Sequence, residues 1–272
     1  MKKTKRVTRN LMIVGASLIS LMVLIAIFAP YIAPQDPNIM SLADRYQGMS
    51  WQHPFGLDEN GSDVLAKVVY GARVSLAVSL SVVSLSIVIG LVLGSFAGYF
   101  GKFWDGFIMR AIDMIQAFPN FLLALALVAV MGPSVRNVII AMCLTSWAGF
   151  ARLVRGEILY LKEKEYVSSA LAIGASHWRT IVLHIWPNLV GAIVVNASFA
   201  MAGTIIAESG LSFLGLGAPP TTPTWGALLN SGRKILEEAP HVSIFPGLAI
   251  LILILGFNLF GDGLRDYLDP KS

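Results

Sequence analysis

Residues Glu165–Asn188 read EYVSSALAIGASHWRTIVLHIWPN, an amphipathic stretch that stops at a glycine and re-enters an apolar run. Tyr166, Ala170 and Ile173 share one helical face by their i, i+4, i+7 spacing. Val167, Leu171 and Gly174 repeat the spacing one residue on, so a helix here carries a broad apolar face. Gly174 is its natural stop, and a positive φ is expected there because glycine adopts it without a Cβ penalty. Ser176 is placed to N-cap the next helix, which runs through the charge-free window Thr180–Ala207. Arg152, Arg155, Lys162, Lys164 and Arg179 flank the pair, which predicts an element held at a membrane edge. An apolar face outside the bilayer needs a partner to cover it.

The rest of the chain reads as membrane. It has 272 residues, 56% of them hydrophobic and 13% charged, and a mean hydropathy of +0.70; an average soluble domain has roughly 25% charged residues. The charge-free windows are Leu11–Gln35, Val74–Gly101, Met114–Val135, Asn137–Ala151, Thr180–Ala207 and Ala239–Gly261. A span needs about 20 residues, so five windows suffice unaided. Asn137–Ala151 is short and becomes a span only if Arg136, Arg152 or Arg155 snorkel to the interfaces. The expectation is an all-α polytopic protein with six transmembrane helices. Residues 1–72 are read as a first span plus an extracytoplasmic segment, 73–264 as the membrane core, and 265–272 as a cytoplasmic tail.

Lys and Arg placement sets the orientation. With the N-terminus inside, the cytoplasmic segments hold Lys2, Lys3, Lys5, Arg6, Arg9, Lys102, Arg110, Arg152, Arg155, Lys162, Lys164, Arg179, Arg265 and Lys271, 14 of the 20. The outside keeps Arg45, Lys67, Arg73, Arg136, Arg233 and Lys234, so both termini and the 152–179 loop fall in the cytoplasm. The pI of 9.2 therefore reads as topology signalling and not as a nucleic-acid surface. KKTKR before an apolar run also opens secretory signal peptides, but Leu11–Ala29 exceeds the roughly 7 to 15 residues of their apolar region, which favours a retained first span. Cys143 is the only cysteine, so no disulfide forms within the chain, and a small buried residue is the simplest reading.

No catalytic constellation is legible. A phosphate-binding G-x-x-x-x-G-K-[ST] loop is missing from the sequence, as are a nucleophile elbow and HExxH. His53, His177, His184 and His241 fall on different loops and helix ends, so no metal site is expected. DENGSD (Asp58–Asp63) lacks EF-hand oxygen spacing and reads as a polar turn entering a short interfacial helix. No cofactor is implied.

Residues costly in lipid mark candidate path positions. Asp113 and Gln116 precede Pro119, Asn196 and Ser198 lie midway along the fifth window, and Asn258 and Asp262 close the sixth. Each either faces water or hydrogen-bonds a neighbouring helix; Asp113, Gln116, Asn196 and Asn258 are the candidates carried forward. Pro119 and Pro187 are expected to kink their helices. Gly90 and Gly94, four apart, point to close helix packing. Ser209–Pro223, rich in glycine and proline, reads as a re-entrant or surface-lying element, since irregular backbone at membrane depth requires cover.

The opening segment resembles the EAA loop of ATP-binding-cassette (ABC) importer permeases: Ser168, Ser169 and Ala170 stand where that pattern has Glu-Ala-Ala, followed by Gly174 and then Ile185, Trp186 and Pro187. Ser168 departs from the family's glutamate, which removes an ionic anchor. HPFGLDENGSDVLAKVVYGARVSL (His53–Leu76), SGLSFLGLGAPPTTPTWGALL (Ser209–Leu229) and FNLFGDGLRDYLDP (Phe257–Pro270) are similar to the shorter, C-type permease of the dipeptide, oligopeptide and nickel importers. The resemblance implies a type I importer (MetI-like) fold with a cytoplasmic coupling helix, and a cell-membrane machine with a homologous permease partner, two ATP-binding subunits and an extracytoplasmic solute-binding protein. It implies an outer loop that meets the binding protein, with Trp225 as its interfacial anchor. It also implies coupling to the ATPases through Tyr166, Val167, Ser168, Ser169, Ala170, Ile173, Gly174 and Pro187, and a peptide substrate, with nickel or a metal chelate as the alternative. A self-contained secondary transporter is the rival class, disfavoured by the lack of a repeat and by the docking-type loop.

Overall fold

The computed structural model describes residues 2–268, with side chains from Thr8 onward. Its elements are helical, and among the described residues the only extended pairing is an isolated bridge between Leu57 and Asp63. Five helical stretches are long and apolar enough to cross a membrane. These are Thr8–Ile27 within α1 (Lys2–Ile27); Val64–Phe100, which is α3 (Val64–Ser95) plus a π-helical turn Phe96–Phe100; and α6 (Val135–Leu161). The others are His177–Phe213, formed by α8 (His177–Thr180), a π-helical turn Ile181–Ile185 and α9 (Trp186–Phe213), and α11 (His241–Leu268). Between them lie α2 (Ala29–Ile32), α4 (Lys102–Gln116), α5 (Asn120–Met131), α7 (Glu165–Ala172) and α10 (Trp225–Gly232).

The sixth crossing is broken. α4 and α5 meet at 80° across Pro119, so the expected kink is a sharp corner. At 12 residues, α5 reaches only about 18 Å, short of the roughly 30 Å of bilayer hydrocarbon. The packing of α3 on α6 nevertheless requires a return across the bundle here. A Cβ at Gly90 would meet Phe150, one at Gly94 would meet Ala151 and Val154, and one at Gly98 would meet Ile158. Both helices therefore advance in the same direction, and the chain between them must travel back through α4 and α5. Those approaches, at 2.5 to 3.1 Å, also confirm the close packing expected of Gly90 and Gly94.

Two boundaries differ from the sequence reading. α3 begins at Val64, well before the charge-free window, because Asp63 caps it by accepting from the Ala66 N–H at 2.8 Å. Asp58, 2% exposed, closes the preceding turn by accepting from Asn60 and Ser62 N–H groups and pairing with Lys67. DENGSD thus enters the second span directly, with no separate interfacial helix, and a 72/73 boundary falls inside α3. At the other end of the bundle α6 runs past Ala151 to Leu161. Its Arg152 and Arg155 find carboxylates on α4, Arg152 Nη2 with Asp113 Oδ1 at 2.9 Å and Arg155 bidentate on Asp105. The fourth span therefore needs no snorkelling arginine to reach full length. α11 carries the start of the expected tail to Leu268, and residues 269–272 lie outside the described residues.

α1 lies antiparallel along α11, where Gly15 meets Phe260 and Gly263 meets Met12, so both described chain ends share one end of the bundle. We call this the terminal end; α7 lies there, and α10 and the long loops lie at the opposite, loop end. The main core joins α1, α3, α9, α10 and α11 around Trp225, Ile205 and Leu253, each fully buried. Pro187 makes no break. Trp186 N–H bonds Ile181 O one residue further back than in an α-helix, and the continuous helix absorbs a proline that has no N–H to donate.

Candidate functional site

α7 hangs beneath α6 and α9 at the terminal end. It closes with two hydrogen bonds, Gly174 N–H to Leu171 O at 3.0 Å and Ala175 N–H to Ala170 O at 3.0 Å. This pair requires a left-handed residue between them, and Gly174 supplies φ +90°. Ser176 Oγ then accepts from Arg179 N–H at 3.3 Å and starts the next helix, as its position predicted. The turn chemistry was legible because it is local.

The facing of α7 was not. Val167 and Ala170, 1% and 4% exposed, turn inward, with Val167 packed on Ile158, Leu161, Ile185 and Leu189. They fasten the helix to its own chain and are unavailable to a partner, which corrects the docking face expected of Ala170 and Val167. The outward side carries Tyr166, Ser169 and Ile173, with Ile173 87% exposed. Ser168 is exposed and donates to Glu165 O at 2.9 Å, capping nothing beyond its own turn. Lys162 reaches back to Gly98 O at 3.3 Å, and Lys164 folds onto the Tyr160 ring at 4.0 Å. Pro187 sits away from this surface, on the wall of a cleft.

Two clefts on α6 and α9 share Leu153, Asn196 and Phe199 and so form one groove. The part in the middle of the bundle, about 490 Å³, is bounded by α3, α5, α6 and α9, with Asn120, Thr145 and Ser146 as polar lining. The part at the terminal end, about 710 Å³, carries Glu157, Asn188 and Arg265. Of the four path candidates, Asn196 alone lines this groove. Asp113 is an exposed ion-pair partner of Arg152, Gln116 ends α4 beside the corner, and Asn258 is half-buried on α11. Asn120, Thr145, Ser146, Glu157, Asn188 and Arg265 were missed. Single polar residues on helices give no sign of which face is wet, and Glu157 and Arg265 lie outside the charge-free windows.

At the loop end Trp225 is fully buried and donates its indole N–H to Val68 O at 2.9 Å, anchoring α10 onto α3 and not onto the bilayer interface as expected. Ser209–Phe213 completes α9, so the irregular segment is shorter than the sequence indicated. A second residue escaped notice because the charge-free window ended one position before it. Glu208, 2% exposed, accepts from Ser75 Oγ at 2.9 Å and Ser212 Oγ at 2.8 Å, tying α3 to α9. A carboxyl inside a spanning helix is tolerated only with such partners. Among the described residues no three His, Cys, Asp or Glu side chains gather as a metal site.

Such a bundle, with an externally tethered short helix and a groove along two crossings, is the architecture of a multi-pass membrane permease. Residues 90–272 match the family described as binding-protein-dependent transport system inner membrane component, and residues 8–52 match the N-terminal TM domain of oligopeptide transport permease C. The chain belongs to this family of inner-membrane permease subunits, in its oligopeptide-type ABC importer branch. It is 47% identical over 269 residues to the glutathione transport system permease protein GsiD of Escherichia coli O6:K15:H31 (strain 536 / UPEC) and to that of Shigella boydii serotype 4 (strain Sb227), covering 98% of this chain and 89% of each relative. The GsiD of Escherichia coli O1:K1 / APEC is 46% identical over the same share.

Proposed function

We propose that this subunit forms half of a membrane path for short peptides of the glutathione class, moved by two ATP-binding partner subunits that grip α7. The observation that carries the reading is α7 itself. Its buried side is fixed to the ends of two crossings, while Tyr166, Ser169 and Ile173 are left uncovered. A push on that side would tilt α6 and α9 together, and the groove between them with Asn196 would change its opening. Hydrolysis is assigned to the partners because this sequence has no phosphate-binding loop. A homologous permease would supply the other half of the path, and an external binding protein would deliver to the loop end. The peptide class is supported by the oligopeptide-permease N-terminal domain and by likeness to permeases named for glutathione transport.

The test is uptake by vesicles holding this chain with its partners, offered labelled glutathione, labelled trialanine or nickel. ATP-dependent uptake of either peptide is the expected result. Uptake of nickel without either peptide would overturn the substrate class, and ATP-independent uptake by the chain alone would make it a secondary transporter.

The orientation follows from 14 of 20 Lys and Arg residues lying in segments assigned to the terminal end and its flanks. That end is proposed to be cytoplasmic. A reporter fused after Lys164 should behave as cytoplasmic and one after Thr222 as external; both on one side would refute the arrangement.

A further inference from the structure

The terminal-end part of the groove holds two opposite charges that the fold does not use. Glu157, half-buried on α6, and Arg265, near the end of α11, line the same cleft of about 710 Å³. Among the described residues neither makes an ion pair or a hydrogen bond with protein. The other ion-paired arginines at this end, Arg152 and Arg155, do have carboxylate partners, so free charge is particular to this cleft. Asn188 and Asn196 add neutral polarity. Each gives its Nδ2 to its own helix, to His184 O at 2.7 Å and Ala192 O at 3.0 Å, which leaves the amide oxygens as acceptors. The continuation of the groove past Leu153 carries only uncharged polar groups.

A ligand complementary to this lining has a cation at one place, an anion at another and amide groups between. A small zwitterionic peptide has that form. Two or three extended residues span at most about 3.3 to 3.6 Å each, well within a cleft whose volume falls in the range of roughly 300 to 1,000 Å³ typical of small-molecule sites.

We propose that this cleft is a peptide-termini site at the cytoplasmic mouth of the path, in which Glu157 receives the α-ammonium group, Arg265 receives the carboxylate, and the amide oxygens of Asn188 and Asn196 accept peptide N–H groups. The proposal rests on the peptide reading above and extends it to the residues that hold the substrate as it leaves. Both contacts are charge-assisted hydrogen bonds, and the guanidinium presents a fork that fits a carboxylate.

The experiment measures binding of labelled trialanine to the nucleotide-free complex of this chain with its partner subunits in nanodiscs, without binding protein. N-acetyl-trialanine and trialanine amide serve as competitors. In the wild type each blocked peptide should compete about tenfold or more worse than trialanine, in keeping with hydrogen bonds to charged groups. Glu157→Gln should remove the penalty for the acetylated peptide and keep it for the amide. Arg265→Gln should do the reverse. This crossed pattern is what a general loosening of the mouth would not produce. Equal weakening of all three ligands in both variants, unchanged discrimination in both, or no trialanine binding to the wild type would overturn the proposal. Loss of partner subunits from either variant would also overturn it, by showing that these charges hold the assembly. The vesicle uptake assay separates the two readings: peptide uptake by the wild type without the crossed pattern refutes this site alone, and no peptide uptake refutes the substrate class.

Discussion

Ile173→Asp is expected to release the ATP-binding subunits from the complex while leaving the permease folded. Ile173 is 87% exposed at the end of α7, so its apolar surface is available to a partner and contributes nothing to the chain's own core. Full burial of an isoleucine side chain is worth about 1.5 to 3 kcal/mol, and an aspartate facing an apolar groove adds the cost of a desolvated charge. Copurification of the ATPases from detergent should fall about tenfold or more, equally at low and high salt, because burial of apolar area is not screened. Ala170→Asp separates docking from folding. Ala170 is 4% exposed against its own chain, so this variant should lower the thermal stability of the permease itself. Lys162→Ala and Lys164→Ala should have little effect, since both side chains fold back onto Gly98 and Tyr160. Retention of the ATPases and of transport by Ile173→Asp would show that the outward side of α7 is not the contact.

Gly226→Ala is expected to have the largest effect at the opposite end. A Cβ there would lie 2.0 Å from Ser209 O and 2.7 Å from Ser212 Cβ. One of these atoms is backbone in the middle of a packed helix, so α10 must move away. The cost should be about 3 kcal/mol, at the upper end for overpacking. Lifting α10 also withdraws Trp225, next in sequence, from its hydrogen bond to Val68 O and from the core it fills. A lowered unfolding temperature in detergent and at least a tenfold fall in ATP-driven uptake are the expected readings; wild-type values for both would falsify the tight α9–α10 contact.

The sequence by itself determined what depends on composition and near neighbours. Long uncharged runs specified a polytopic bundle, because uncharged helices partition into lipid whatever they pack against. Gly174, Ser176 and the Gly90/Gly94 pair announced a left-handed turn, a cap and a close crossing, and the structure carries all three. Only the tertiary structure decided where side chains point. In a protein apolar on nearly all faces, periodicity does not distinguish a face toward lipid from one toward a neighbouring helix or a partner. Ala170 and Ile173 therefore looked equivalent in sequence, yet the first is packed against its own chain and the second is bare. Trp225 looked like an interface anchor until α3 offered it a carbonyl in the core. The pairing of Asp113 with Arg152, and the meeting of Glu157 with Arg265 in one cleft, join residues far apart in sequence. Contacts of that separation are set by how the crossings pack, and no local spacing records them.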